Sequence, residues 1–373
     1  MINTINFLGT QLNKRPLFFY GAGRQCRIMA YSCSMLGLRP DYVVDQNPKL
    51  WGESVLFEPF GNKREVTVIS PDEMLSYGLD NPVLITTVFL DSAIKALRKR
   101  GFTNLWIPPE YDTAESKTVL NMNKLSINSV VGALKDERSK NVLSDIIGYR
   151  QTNDFSYIED AYDENQYFPP DIITLDSNDV FIDGGAYDGK TTEDFIRKTK
   201  ENYSHAHVFE PVPANYSTAA SRLVDYINLG KVTLIEKALS DKKEKVIFFE
   251  NRFGSHMLDP DTKTALLDVS SVDSSFVPSF VEAETVSLDA YFEGQSDMPS
   301  FIKLDVEGAE MDALVGARGL IEKHRPKLAV SIYHKFEDLF EIPLYLMQAY
   351  PFYDFYIRHH QLSSWETTLY AVP

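Results

Sequence analysis

VFIDGGAYDGKTTEDF, residues 180–195, is the stretch whose reading decides the fold. Val180–Asp183 reads as a buried strand, and Thr191–Lys198 reads as the helix that follows. Between them lie Gly184, Gly185, Ala186 and Gly189. A turn so rich in glycine lets a ligand approach the backbone closely, which a Cβ would prevent. In open parallel sheets, ligands bind at the carboxyl ends of the strands. A tight turn with no ligand would carry the same glycines, so the neighbouring strands must be read as well.

The next strand, His207–Phe209, ends at Glu210 and Pro211. A carboxylate there can accept two hydrogen bonds from a ribose diol. The first loop is DGGAYDG rather than GxGxxG. Its acidic flanks, Asp183 and Asp188, disfavour phosphate and suit a cationic ligand. S-adenosylmethionine has a sulfonium, an ammonium and a ribose but no phosphate. A third element, FIKLDVEGAE (301–310), ends a strand at Asp305 and adds Glu307 and Glu310. Three carboxylates at a strand tip are costly unless paired, solvated or bound to a cation. Glu310 reads more simply as an acid at a helix N-terminus. Asp305, on the tip itself, reads as a site residue.

Outward from this core the pattern is α/β. Strands are expected at 232–235, 246–250, 285–288, 301–305 and 328–332, with helices at 215–226 and 310–323. Strands at 354–358 and 368–372 are close enough in sequence to form an antiparallel pair. Residues 113–170 lose the strand signal, and Ala133–Tyr149 has helical spacing. Residues 1–112 alternate again, with strands expected at 16–20, 41–44, 66–69, 83–87 and 104–107. Helices are expected at about 25–36 and 91–100, and a further helix start at Ser70-Pro71. This describes a smaller Rossmann-like domain at 1–112, a helical connection at 113–170 and a larger α/β domain at 171–373.

The first domain opens with Gly21-Ala22-Gly23 after a strand, and Asp45 closes the second strand. Cys26 stands where GxGxxG would have its third glycine. Three readings stay open: a nucleotide or nucleotide-sugar site, a degenerate docking or dimerisation domain, and an NAD-dependent enzyme. No residue set for hydride transfer is evident. A homo-oligomer through this domain is a partner expectation.

The chain has 373 residues and a formal net charge of −16, with 24% charged and 44% hydrophobic residues. So acidic a chain repels a phosphate backbone, so no nucleic-acid partner is expected. The basic runs around Lys95–Arg100 and Lys242–Lys245 read as solvated faces. No apolar run is long enough for a membrane span. Cys26 and Cys33 show neither a disulfide framework nor metal-ligand spacing, and no leader pattern is visible, so a cytoplasmic location is expected.

The motifs VFIDGGAYDGKTT, VFEPVPAN, EKALSD, SLDAYF, FIKLDVEGAE and ETTLYAVP follow one another from about residue 167 to 373. In order and spacing this part of the chain resembles the FkbM family of S-adenosylmethionine-dependent methyltransferases. The resemblance implies a class I methyltransferase fold, a seven-stranded sheet with its last strand antiparallel, and O-methylation. It places Asp183, Gly184, Gly185, Ala186 and Gly189 around the methionine end of the cofactor. Glu210 and Pro211 fall at the ribose, Ala238 and Leu239 beside the adenine, and Asp305 at the methionine or the methyl-transfer centre. Tyr167-Phe168 corresponds to the substrate-side or cofactor-covering lead-in. RFGSHM (252–257) departs from the family's small-residue stretch.

A hydroxyl acceptor benefits from a base near its proton. Asp305, His334 and His256 are the candidates; His334 follows VSIY at a strand tip and is, with Asp305, the expected catalytic pair. His334 could equally be a surface loop histidine. His359 and His360 read as structural or rim residues. No metal is assigned; metal-assisted transfer would need Asp305, Glu307 and a third oxygen ligand. The expected acceptor is a hydroxyl of a sugar, nucleotide-sugar, polysaccharide or secondary metabolite. The alternatives are a non-catalytic nucleotide-binding or scaffold protein and an NAD-dependent sugar-modifying enzyme.

Overall fold

The computed structural model describes residues 16–23, 26, 39–57, 64–87, 89–107, 111–251, 254–258 and 279–373. The chain divides into two compact units. One comprises 1–124, 141–162 and 361–365; the other comprises 125–140, 163–360 and 366–373. The central stretch 113–170 is thus shared between the two. Among the described residues, no helix is long and apolar enough to cross a membrane.

The first unit holds a six-stranded sheet. In chain order its strands are β1 (Phe18–Tyr20), β2 (Tyr42–Val44), β3 (Ser54–Phe57), β4 (Arg64–Ile69), β5 (Val83–Ile85) and β6 (Leu105–Trp106). The spatial order is β3-β4-β2-β1-β5-β6, parallel except for β3 against β4. Sequence reading overlooked β3, a four-residue edge strand that alternates exposed and buried side chains. Phe19, Val43, Val68 and Leu84 form the core beneath the sheet. The helix start at Ser70-Pro71 is present: Ser70 Oγ accepts from the Glu73 N–H at 2.9 Å, with proline in the first turn. The helix expected at 25–36 lies outside the described residues except for Cys26, which is helical and buried.

The second unit is built on β7 (Val180–Gly184), β8 (His205–Phe209), β9 (Val232–Ile235), β14 (Phe301–Leu304), β15 (Lys327–Ser331), β16 (Asp354–His359) and β17 (Thr367–Val372). Their order is β16-β17-β15-β14-β7-β8-β9, with β17 antiparallel to both neighbours and the rest parallel. This is the expected seven-stranded sheet, and the switch in strand order falls between β7 and β14. Phe168, Phe181, Phe195 and Phe301 pack together on one face of it. Strands β10 (Ala238–Leu239), β11 (Lys245–Asn251), β12 (Gly254–Leu258) and β13 (Ser279–Val286) form a separate small sheet. Of the RFGSHM stretch, residues 252–253 lie outside the described residues and the rest belongs to β12.

Four expectations are corrected. The 215–226 helix is two, Pro213–Arg222 and Val224–Asn228, broken at Leu223. Residues 133–149 are not one helix: helices span Lys124–Ala133 and Glu137–Thr152, because Leu134 leaves the helix to bridge to Phe355 and Asp136 accepts from the Ser139 N–H. The 310–323 helix is two, Glu310–Val315 and Arg318–His324. They meet at Gly316, where an added Cβ would stand 2.1 Å from the Ser240 carbonyl oxygen. The strand expected at 285–288 ends at Val286, and Ser287 caps a short helix, Leu288–Tyr291. The helix Asp338–Ala349 was not anticipated; Pro343 interrupts its pattern.

His360 fixes the last hairpin to the residues before β7. Its Nδ1 donates to the Asp163 carbonyl at 2.9 Å, which leaves Nε2 to accept from the Tyr370 hydroxyl at 2.8 Å. Burial pushes this imidazole down to about 4. The unfolded chain therefore takes the proton first. The neutral ring contributes fully above pH about 6.5, and its contribution, about 3 kcal/mol, is lost as pH falls to about 4. Denaturant unfolding at both pH values should show this component in the wild type and lack it in His360→Gln.

Candidate functional site

The carboxyl ends of β7, β8 and β14 frame one cleft, lined by Gly185, Glu210, Pro211, Ala238, Leu239 and Asp305 among others. Six residues expected at the cofactor thus converge there from four separate stretches of chain. The loop after β7 is held by Gly185 N–H and Ala186 N–H, which both donate to the Phe209 carbonyl at 3.0 Å. Gly185 has φ +76°, and an added Cβ would lie 1.8 Å from the Asp305 carbonyl oxygen. Gly189, φ +80°, opens the helix Lys190–Lys198.

Asp183 takes a different place from that of a direct ligand contact. It is fully buried, accepts from the Thr192 hydroxyl at 2.7 Å, and lies 3.1 Å from Lys303 Nζ. Lys303 is its cross-strand neighbour on β14 and also donates to the Gly184 and Gly185 carbonyls at 3.0 and 2.6 Å. Burial opposes the lysine's charge, but Asp183 and Asp305 hold its pKa above the ordinary lysine value. Asp183 and Lys303 therefore form the buried footing on which the glycine loop rests. Gly184 and Ala186 are part of the same footing. Lys303 escaped sequence reading because a lysine inside FIKL resembles one on an exposed strand face.

Glu210 sits at the tip of β8, 4% exposed. Its carboxylate accepts from the Tyr187 N–H at 2.8 Å, the Val212 N–H at 2.9 Å and Asn215 Nδ2 at 3.3 Å. Burial outweighs these bonds and pushes the carboxyl up to about 7. Beside it Val212, Ala238 and Phe248 make an apolar wall suited to a flat ring. Phe248 was not foreseen; it arrives on β11, whose position depends on the small inserted sheet.

Asp305 follows β14. It accepts from the Tyr167 hydroxyl at 2.7 Å and the Tyr333 hydroxyl at 3.1 Å. Burial opposes its charge, yet Lys303, His334 and the Tyr167 hydroxyl hold the carboxyl below the ordinary range. Tyr333 also reaches Glu366 at 3.4 Å, and Glu366 accepts from the Gln166 side chain. Burial, then Asp305, raises Glu366 to about 7. Tyr167 is held in turn by its own N–H, which donates to the Tyr370 hydroxyl at 3.0 Å. Gln166, Tyr333 and Glu366 were missed as site residues, although Glu366 opens the ETTLYAVP motif.

His334 emerges after β15 on the same rim. Nδ1 lies 3.0 Å from Glu310, and Nε2 lies 3.6 Å from Asp305 and 3.5 Å from Glu307. Burial opposes its charge, but Glu310, Asp305 and Glu307 push the imidazole up to about 10. Both ring nitrogens are turned to carboxylates, so the ring while protonated offers no lone pair to an acceptor's proton. The expected base role for His334 does not match this arrangement. Glu310 accepts at Oε1 from the Val306 N–H at 2.8 Å, which ties the loop to the helix it opens.

Backbone strain marks the same region. Eight non-glycine residues among those described have positive φ, and four of them, Tyr167, Tyr187, Glu307 and Glu366, stand around this site. Such conformations cost about 1–3 kcal/mol each and persist where the surroundings enforce them. In the first unit, Asp45 accepts from the Ala22 and Asn47 N–H groups, both at 2.8 Å, so its carboxylate braces its own glycine loop.

Comparison with known proteins is consistent with this geometry. Residues 183–358 match the family described as "Methyltransferase FkbM domain". The crystal structure of methyltransferase FkbM from Methylobacillus flagellatus is similar over 99% of this chain and 93% of that one, at 21% identity and a TM-score of 0.65. Fibrillarin from Aeropyrum pernix, solved with S-adenosyl-L-methionine bound, matches 54% of this chain and 70% of its own at 9% identity and a TM-score of 0.33. No curated protein matches.

Proposed function

We propose, from the premise that residues 183–358 are an FkbM methyltransferase domain and the chain a methyltransferase, that it transfers the methyl group of S-adenosylmethionine to a hydroxyl. The acceptor class is a sugar, nucleotide-sugar, polysaccharide or secondary metabolite. The observation that carries the cofactor assignment is the convergence of Gly185, Glu210 and Asp305 on one cleft with an apolar wall. Glu210 accepts the ribose hydroxyls, and Val212, Ala238, Leu239 and Phe248 enclose the adenine. Asp305 faces the methionine end, its carboxylate aimed by Tyr167 and Tyr333. Asp183 supports the loop through Lys303 rather than touching the cofactor.

Methyl transfer is an in-line displacement, and geometry supplies much of its rate. The acceptor oxygen would bond to the methyl carbon as the carbon–sulfur bond breaks, the sulfonium would leave as a neutral thioether, and the hydroxyl proton would pass by way of the Asp305 carboxylate to water. Asp305 orients the acceptor hydroxyl for that attack, and His334 holds Asp305 and Glu310 in register. Asp305→Asn should keep the fold and abolish transfer; wild-type turnover in that variant would remove Asp305 from the mechanism.

Calorimetric titration with S-adenosylhomocysteine tests the cofactor site. Binding should be measurable at neutral pH and weaken by about tenfold in Glu210→Gln. It should also weaken below pH about 7, because a protonated Glu210 cannot accept both ribose hydroxyls. The loss is at most about tenfold per pH unit, and it should be absent in Glu210→Gln. No binding at high micromolar ligand would overturn the cofactor assignment.

A further inference from the structure

We propose that Asp305, Glu310 and His334 hold a divalent cation of the Mg²⁺ or Mn²⁺ class beside the cofactor cleft. One ligand atom from each lies within 4.8 Å of the other two. Two are anchored by strand tips: Asp305 follows β14 directly, and His334 follows β15. Glu310 is the first residue of the helix between those strands. The His334 side chain is 8% exposed and that of Glu310 1%, so both are shielded from bulk water.

The second observation is an unmet demand in this cluster. Glu310 Oε2 is buried with no hydrogen-bond partner, although Oε1 is engaged by the loop backbone. His334 Nδ1 is buried too and makes no hydrogen bond; its 3.0 Å approach to Glu310 Oε1 is an ionic contact without hydrogen-bond alignment. A buried carboxylate oxygen and a buried ring nitrogen left without hydrogen bonds are costly, and both are metal-ligating atoms. Glu307 brings a third carboxylate to 3.5 Å from His334 Nε2. Two carboxylates and one imidazole, once the ion has displaced the imidazolium proton, suit a hard or borderline divalent ion that keeps water in its remaining positions. The sequence reading assigns no metal and holds that one would need Asp305, Glu307 and a third oxygen ligand; this set adds Glu310 and His334.

Asp305 lines the cleft, so the ion's open positions would face it. An acceptor hydroxyl entering the coordination sphere would be acidified before attack. That consequence rests on the methyltransferase reading; the ion site does not.

The test is titration of Mn²⁺ into the chelator-treated full chain, followed by loss of the free-ion electron paramagnetic resonance signal. The expected result is about one equivalent bound at submillimolar Mn²⁺. His334→Gln and Asp305→Asn should each weaken binding by about tenfold or more, while Asp194→Asn, at a half-buried residue on another helix where it pairs with Arg197, leaves it unchanged. If the first two variants do not fold, spin-echo spectra of Mn²⁺ on the wild type decide: imidazole nitrogen coupling supports the site. Absence of binding up to about 1 mM Mn²⁺, binding without nitrogen coupling, or unchanged affinity in both folded variants overturns it. The S-adenosylhomocysteine titration, run in chelator, reports on the cofactor site independently.

Discussion

Gly185→Ala will not bind S-adenosylhomocysteine, and it will be among the most destabilised single variants of the chain. Its new Cβ would stand 1.8 Å from the Asp305 carbonyl oxygen, a backbone atom that cannot rotate away. Relief requires the tips of β7 and β14 to part, and those tips carry both the glycine loop and Asp305. The φ of +76° adds about 1–2 kcal/mol for a residue with a Cβ. Gly230→Ala is the matched comparison: its φ is +68°, but nothing lies within 4 Å of the added Cβ. It should lose only the conformational part and keep full ligand binding. Equal unfolding midpoints for the two variants would show that the close approach at Gly185 has been misjudged.

The second large effect is expected from Lys303→Met. The substitution keeps the stem but removes the ammonium from Asp183 and from two loop carbonyls. Lys303 is 1% exposed and Asp183 is fully buried, so no water replaces the lost charge. Breaking one side of a buried pair costs about 3–5 kcal/mol. Denaturant unfolding measures it. Asp183→Asn combined with Lys303→Met should recover part of the loss, because the stranded carboxylate is gone. If the single variant unfolds within about 0.5 kcal/mol of wild type, Asp183 is not supported in the manner described.

The side of the site proposed for the cofactor was legible because its residues sit in compact runs. Asp183 to Gly189 is a single turn, and VFEP and FIKLDVEG each carry one acid at a strand end. Reading strand tips was enough to bring them together. The side proposed for methyl transfer was not legible in the same way. Gln166 and Tyr167 precede β7, Tyr333 follows β15, and Glu366 precedes β17; only the strand order of the finished sheet makes them neighbours. Two of the misjudged helices share a cause: tertiary contacts, Leu134 to Phe355 and Gly316 to Ser240, interrupt patterns that are continuous in the sequence. His334 was placed on the right rim, but its role turned on carboxylates from another loop.

The position of β17 has a consequence for how the molecule is made. It is the last strand in sequence, yet it lies inside the sheet, between β15 and β16. A sheet laid down strand by strand in the order of synthesis must keep that berth open or receive β16 and β17 together as a finished hairpin. The second route is the simpler, since the hairpin's contacts are local and form early. The parallel strands β7, β8 and β9 can then stand before the hairpin docks. Tyr370 and Glu366, which steady Tyr167 and Tyr333, reach their places only at that step. On the proposed assignment, the part of the cleft formed by Gly185 and Glu210 can precede the cluster of Tyr167, Tyr333 and Glu366, and docking of one hairpin completes the site.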